Sequence, residues 1–311
     1  MDPMTRINRI LVGIDFSSEA ELALAHALQL ARRTGASLTL THVVPLPADL
    51  TADSSYDPLF RATALAGELV ARQKEDASSM LAEVAAYCRS SGVECEVLLM
   101  DDTPSGGLAR GAAEAHVDLV VVGSHGRTGV RRLLLGSVAE RTTRLTDRST
   151  LVARGAATAE DGYQRILVAC DFSPYTDVAI RAALTLAADG ARIEVVHCWQ
   201  TPVMPAGMPV ATMRDDLEHD VAQAGARLLA SYQGRAPGAH LAFVPLEGAP
   251  AEALRARAEE TGSELIVVGS HGRRGVKRWL LGSVAEAIVR HAPCSVLVAH
   301  QDTAAAADIA A

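Results

Sequence analysis

The chain has 311 residues, about twice the ~100–200 of a typical domain, and its 49% hydrophobic composition is enough for two real cores. That apolar content excludes disorder, and with only 4% aromatics the cores must be built mostly from Ala, Val and Leu, which suits parallel strands packed on helices better than an aromatic-rich β-sandwich. The 29 Lys+Arg against 37 Asp+Glu leave a formal net charge of -8, which argues against the basic face that nucleic-acid binding requires.

From Met1 to Arg9 the chain carries charges on both sides of Pro3 and then a short apolar run that stops at Asp15, which is not the pattern of a signal peptide. The first half alternates strand-length apolar runs with helical patterns. Strands are predicted near Ile10–Ile14, Leu38–Val44, Glu96–Met100, Leu119–Val122 and Thr150–Ala153, and helices near 19–33, 60–90, 105–115 and 137–146. Ser18 with Glu21 reads as a capping box for the first helix. The segment from Gly155 to Gly162 has linker chemistry. The second half repeats the strands near Ile166–Cys170, Ile193–His197, Leu241–Val244, Leu265–Val268 and Val296–Ala299, and Ser173 precedes Pro174 at the start of its first helix. The longest uncharged stretch, Val195 to Met213, contains Pro202, Pro205 and Pro209 and reads as a strand end entering a loop, not as a membrane span. The expected organisation is a domain over 1–155, a linker over 156–162, a second domain over 163–300 and an Ala-rich tail over 301–311.

The duplication is also written in words. Arg9-Ile-Leu-Val-Gly-Ile-Asp-Phe-Ser17 returns as Arg165-Ile-Leu-Val-Ala-Cys-Asp-Phe-Ser173, and Leu119-Val-Val-Val-Gly-Ser-His-Gly-Arg127 returns as Leu265-Ile-Val-Val-Gly-Ser-His-Gly-Arg273. Each half is therefore expected to be a five-stranded parallel α/β layer. The five cysteines, Cys88, Cys95, Cys170, Cys198 and Cys294, are odd in number and form no CxxC pair, which fits a reduced cytosol better than a disulfide framework or a zinc site. His291 and Cys294 read as the entry to the last strand and not as metal ligands.

The candidate site follows strand four. Gly123-Ser-His-Gly126 is followed by nine residues and then Gly136-Ser137; Gly269-Ser-His-Gly272 is followed by nine residues and then Gly282-Ser283. Ligands of open parallel sheets sit outside the carboxyl ends of the strands, and glycines there let backbone N–H groups and a helix N-terminus reach an anion. A phosphate cradle is one reading; tight-turn geometry is the other, and the identical spacing in both halves favours the first. Asp15 and Asp171 end strand one beside that cleft, where a carboxylate accepts from ribose or adenine, or else caps the next helix. Arg127 and Arg273 are placed to approach phosphates, whereas Arg131, Arg132, Lys277 and Arg278 read as solvated loop charges. His125 and His271 read as turn packing more than as acid–base groups. No Walker loop, no Gly-x-Ser-x-Gly elbow and no Gly-x-Gly-x-x-Gly after either first strand occurs.

The strand ending in Asp-Phe-Ser, the His42-Val43 end of strand two, and Gly-x2-Gly-x9-Gly-Ser together resemble the universal stress protein family, here as a tandem covering roughly 7–153 and 163–300. The glycine spacing resembles that of its ATP-binding branch. The resemblance implies an adenine nucleotide alpha hydrolase-like fold of strand order 3-2-1-4-5. It implies ATP, with Mg²⁺ or Mn²⁺ on the phosphates, and pairing of strand five between the halves or between whole chains. It also implies contacts from Asp15 to the nucleoside, from the Val43 backbone to adenine, from Gly123 to ribose, and from Gly126, Gly136 and Ser137 to the phosphates. Asp171, Cys198, Gly269, Gly272, Gly282 and Ser283 match them in the second half, which departs at Ala169-Cys170 and Cys198-Trp199. The function expected is a cytoplasmic stress-response protein that signals to a protein partner through its ATP-bound state. A slow ATPase or phosphotransferase, and a nucleotide-free interaction module, are the alternatives.

Overall fold

The computed structural model describes residues 6–45, 57–126, 135–157, 162–201, 210–232, 238–272 and 281–301. The first half runs β1 (Arg9–Gly13), α1 (Ser18–Thr34), β2 (Ser37–Val44), α2 (Asp57–Ser90), β3 (Cys95–Asp101), α3 (Pro104–Glu114), β4 (Leu119–Gly123), α4 (Ser137–Leu145) and β5 (Ser149–Ala153). The second repeats it as β6 (Tyr163–Cys170), α5 (Pro174–Leu186), β7 (Ala187–Trp199), α6 (Val210–Ala230), β8 (His240–Glu247), α7 (Pro250–Thr261), β9 (Leu265–Gly269), α8 (Ser283–His291) and β10 (Ser295–Ala299). Strands β1, β4, β9 and β10 are buried almost throughout because helices cover both faces, so they read as unbroken apolar runs instead of alternating ones.

Within each half the order is 3-2-1-4-5 and every pair is parallel. The two layers are joined: β10 pairs antiparallel with β5, Leu297 opposite Leu151, giving one ten-stranded sheet. The strand-five edge is thus satisfied inside the chain, as a tandem allows.

Two local expectations are corrected. The cap of α1 is Ser17, not Ser18: Ser17 Oγ accepts from Ala20 N at 3.2 Å, while Ser18 Oγ donates to Glu19. Asp15 selects that register, because its Oδ1 accepts from both Ser17 N (3.1 Å) and Ser17 Oγ (2.5 Å). Strand β7 begins at Ala187, directly after α5, instead of near Ile193. Ala187 pairs with Tyr163 ahead of a register shift, and Gly190 turns the backbone at φ 78, a conformation glycine adopts without steric cost.

Across the seam, α4 and α8 face each other through a ring of four charges. Glu140 and Glu286 each accept from both Arg144 and Arg290 at 2.6–3.1 Å. Arg154 sends its guanidinium to the carbonyls of Val289 (2.6 Å) and Ala292 (3.2 Å) at the end of α8. His26, 1% exposed, bonds the Tyr163 hydroxyl at 2.9 Å and approaches the Gly155 carbonyl at 3.3 Å.

Burial lowers the pKa of His26, and lowers that of His300 from 6.5 to about 4 with the help of nearby His271. The folded chain therefore holds both rings neutral while the unfolded chain protonates them below 6.5, so their stabilisation is whole above 6.5 and drains as pH falls toward the folded value. We expect the wild type to lose about 2 kcal/mol between pH 7.5 and 5 that a His300→Asn variant keeps. Urea titrations of both proteins at the two pH values measure it; parallel losses would refute the assignment.

Candidate functional site

Each half has a cleft at the carboxyl end of its sheet, about 400 Å³ in the first and about 560 Å³ in the second. Asp15 and Asp171 enter the clefts from the ends of β1 and β6. The residues after them, Phe16 (φ 62) and Phe172 (φ 58), both sit in the left-handed region, an outlier for a bulky side chain that recurs at matched positions. One oxygen of each carboxylate is used locally: Asp171 Oδ1 accepts from Ser173 N (3.0 Å) and Thr176 Oγ1 (3.1 Å), as Asp15 Oδ1 does from Ser17. The other oxygen faces the glycine loop, since a Cβ on Gly126 or on Gly272 would lie 2.7 Å from Oδ2 of its aspartate. Turn-building and cleft-lining thus coexist in the same carboxylate.

The glycines divide by cause. Gly123 is explained by packing, as a Cβ there would lie 2.6 Å from the Glu19 carbonyl of α1, and Gly269 likewise meets Tyr175 at 2.8 Å. Gly126 and Gly272 are explained by the aspartates. Gly136 and Gly282 close the loops, donating their N–H to Ser124 O (2.7 Å) and Ser270 O (3.0 Å), and they begin α4 and α8 without any side-chain cap. The first N–H groups of those helices have no carbonyl partner within the helix, and they border the clefts at Ser137 and Ser283 with the positive end of the helix dipole. An anion is what such an end accepts.

The opposite end of each cleft is aromatic and apolar. His42 Nδ1 lies 2.6 Å from Ile14 O with its ring 5.0 Å from Phe16; His197 Nδ1 lies 2.8 Å from Cys170 O with its ring 4.6 Å from Phe172. Val43 with Pro104 and Leu108, and Cys198 with Pro250 and Leu254, complete the walls. Burial pushes the Cys198 thiol up to about 11, so it lines the wall as a neutral thiol. Trp199 is 7% exposed and lies outside the second cleft, so the Cys198-Trp199 departure alters the wall at Cys198 alone.

Asp15, Val43, Gly123, Gly126, Gly136 and Ser137 converge on one cleft, and Asp171, Cys198, Gly269, Gly272, Gly282 and Ser283 on the other. Arg127 and Arg273, like Arg131, Arg132, Lys277 and Arg278, lie outside the described residues. His125 and His271 bond the neighbouring serines through Nδ1 (3.0 and 3.1 Å), and their buried Nε2 atoms have no hydrogen-bond partner among the described residues. Also among the described residues, no three His, Cys, Asp or Glu cluster as metal ligands, and no helix is long and apolar enough to cross a membrane. Sequence reasoning passed over His42 and His197 as cleft-lining residues, whose rings pack on Phe16 and Phe172 outside the clefts. Their signal was the repeat itself, which places a histidine at the end of strand two in both halves.

The universal stress protein family model matches residues 6–154 and again 162–300. Over 310 residues the chain is 28% identical to universal stress protein Rv2005c of Mycobacterium tuberculosis, covering 94% of this chain and 97% of that protein. Universal stress protein YxiE of Bacillus subtilis is 29% identical over 147 residues, matching 47% of this chain and 99% of its own length. Among solved structures, a universal stress protein from Archaeoglobus fulgidus aligns with a TM-score of 0.63 at 21% identity, covering 96% of this chain and 98% of that one. Protein PA1789 of Pseudomonas aeruginosa aligns at 0.67 and 18%, covering 99% and 97%. These two carry the same tandem fold.

Proposed function

The chain belongs to the universal stress protein family, and from that premise we propose that each half binds an adenine nucleotide, ATP in the first instance, with the bound state read by a protein partner in a cytoplasmic stress response. One observation carries the reading. In each half a carboxylate, a glycine loop and an uncapped helix start border a single cleft whose far wall is aromatic and apolar. Adenine would occupy the apolar end beside His42 and the Val43 backbone, or His197 and Cys198. The ribose would meet Asp15 and Gly123, or Asp171 and Gly269. Because the N–H groups of Gly136 and Gly282 are already donated within the loops, the phosphates would take the N–H groups that follow and the hydroxyls of Ser137 and Ser283. Gly126 and Gly272 would give them room. Clefts of about 400 and 560 Å³ fall within the ~300–1,000 Å³ usual for such ligands. Mg²⁺ or Mn²⁺ would be held chiefly by the phosphates themselves.

A ligand bound only by the native state stabilises it by ~2.7 kcal/mol at a hundredfold excess over its dissociation constant. Thermal melts with ATP and Mg²⁺ should therefore rise above melts at equal ionic strength without nucleotide. No shift with millimolar AMP, ADP or ATP would end the reading.

The two sites are expected to differ, the first being at least tenfold tighter. Ala169 of the second cleft replaces Gly13 of the first, where a Cβ would press on Leu108 at 3.2 Å, and the second cleft is the larger of the two. A mismatch of about a methylene is worth ~1–3 kcal/mol in a close-fitting site. Calorimetric titration of Gly126→Val and Gly272→Val, each of which leaves one site, measures the difference. Equal affinities would count against it.

A further inference from the structure

Two of the five cysteines meet at the turn from α2 into β3. Cys88 lies in the last turn of α2, and Cys95 opens β3. Between them the chain doubles back. Val93 N donates to Cys88 O at 3.2 Å, Gly92 takes the left-handed conformation at φ 82, and Arg89 Nη1 donates to Cys95 O at 2.7 Å. Both side chains enter the same core, and their thiols hydrogen-bond each other. The second half has no counterpart, because Leu241, opposite Ile193, takes the place that Cys95 has opposite Leu38. Cys170 and Cys198 lie near the ends of the paired strands β6 and β7, but Cys170 belongs to the core on one face of the sheet and Cys198 packs on the core of the other.

The two thiols are not equivalent. The bond to Cys95 lowers the pKa of the Cys88 thiol below its ordinary value; burial opposes this, and the nearby Arg89 and Arg32 support it. The same bond, together with burial, pushes the Cys95 thiol up. Cys88 is therefore the member that ionises, and the thiolate is the nucleophilic form. Cys88 is 0% exposed and Cys95 5%, so only an oxidant close to water in size can reach them, and a surface groove walled by Arg89, Gly92, Val93 and Cys95 brings solvent to the turn.

We propose that Cys88 and Cys95 are a reversible oxidation site, converted by hydrogen peroxide from dithiol to disulfide. The Cys88 thiolate attacks one peroxide oxygen and the O–O bond breaks. The hydroxide released takes up the proton that Cys88 gave up and leaves as water, so that Cys88 becomes a sulfenic acid. The Cys95 sulfur then attacks the Cys88 sulfur; the S–S bond forms, the S–O bond breaks, and hydroxide leaves as water with the Cys95 proton. Together the thiols lose two protons and two electrons, and one peroxide becomes two waters. The new bond staples the end of α2 to the edge strand β3, and excess thiol reverses it. A pair of this kind is a sensor and not a structural framework in a reducing compartment. The inference stands apart from the nucleotide reading, since neither cysteine lines a cleft.

The native full chain is treated with one molecule of hydrogen peroxide per chain, its remaining thiols are blocked with N-ethylmaleimide in denaturant, and it is cut with trypsin without reduction. Cleavage after Lys74, Arg89 and Arg110 puts the two cysteines on separate peptides, 75–89 and 90–110, so mass spectrometry reads a link between them directly. The expected result is that pair of peptides joined with the loss of two hydrogens, a fall from five blocked thiols per chain to three, and recovery of all five after dithiothreitol. A chain with Cys170→Ala and Cys198→Ala should form the same link. Cys88 and Cys95 both alkylated after peroxide would overturn the proposal. Their recovery as separate sulfinic acids, or a link between Cys170 and Cys198 in place of theirs, would do the same.

Discussion

A chain carrying both Gly126→Val and Gly272→Val is expected to lose adenine-nucleotide binding at both sites while still folding. The Cβ of each valine would lie 2.7 Å from Oδ2 of Asp15 or Asp171, and the atom it meets is the end of a side chain, so the carboxylate turns away before the backbone breaks. The change thus removes the nucleoside contact as well as the space for phosphate. Each hydrogen bond to a charged group is worth ~1.5–3 kcal/mol, and losing two lowers affinity by at least ~100-fold. Equilibrium dialysis against labelled ATP measures this, and circular dichroism checks the fold. Unchanged affinity and stoichiometry would mean that these glycines only shape turns. Gly123→Val is a useful contrast, because its Cβ would meet the Glu19 carbonyl, so it should damage stability and not the ligand alone.

The second large effect concerns the seam. Arg154→Ala should cost roughly 3 kcal/mol, because it removes a half-buried guanidinium and leaves the carbonyls of Val289 and Ala292 at the end of α8 without their donor. The same cation also meets the negative end of that helix dipole. Arg154→Lys should recover only part, since one ammonium cannot span two carbonyls as the planar fork does. Urea unfolding reads both variants. A loss below ~0.5 kcal/mol for Arg154→Ala, the range of an ordinary surface change, would contradict the account.

Much of this fold was legible because its strands are buried on both faces: Ile10–Val12 and Leu119–Val122 cannot be mistaken for amphipathic helix, and the repeat doubles every signal. The cleft residues were legible for the same reason, each motif sitting at a strand end. What escaped depends on contacts between distant residues. Ser17 became the cap because Asp15 claimed it, a choice between two adjacent serines that spacing does not make. The early start of β7 needed Tyr163 as a pairing partner. His42 and His197 recur at the end of strand two in both halves, but only the fold shows that they line the clefts. The pairing of Arg154 with one side of the seam and His300 with the other required the two halves in register.

Titration calorimetry of the whole chain with ATP and Mg²⁺ decides whether the two clefts hold nucleotide. Two binding events per chain are predicted, the tighter abolished by Gly126→Val and the weaker by Gly272→Val. Absence of any saturable heat at millimolar ATP would contradict it, as would two sites that both survive in the double glycine variant.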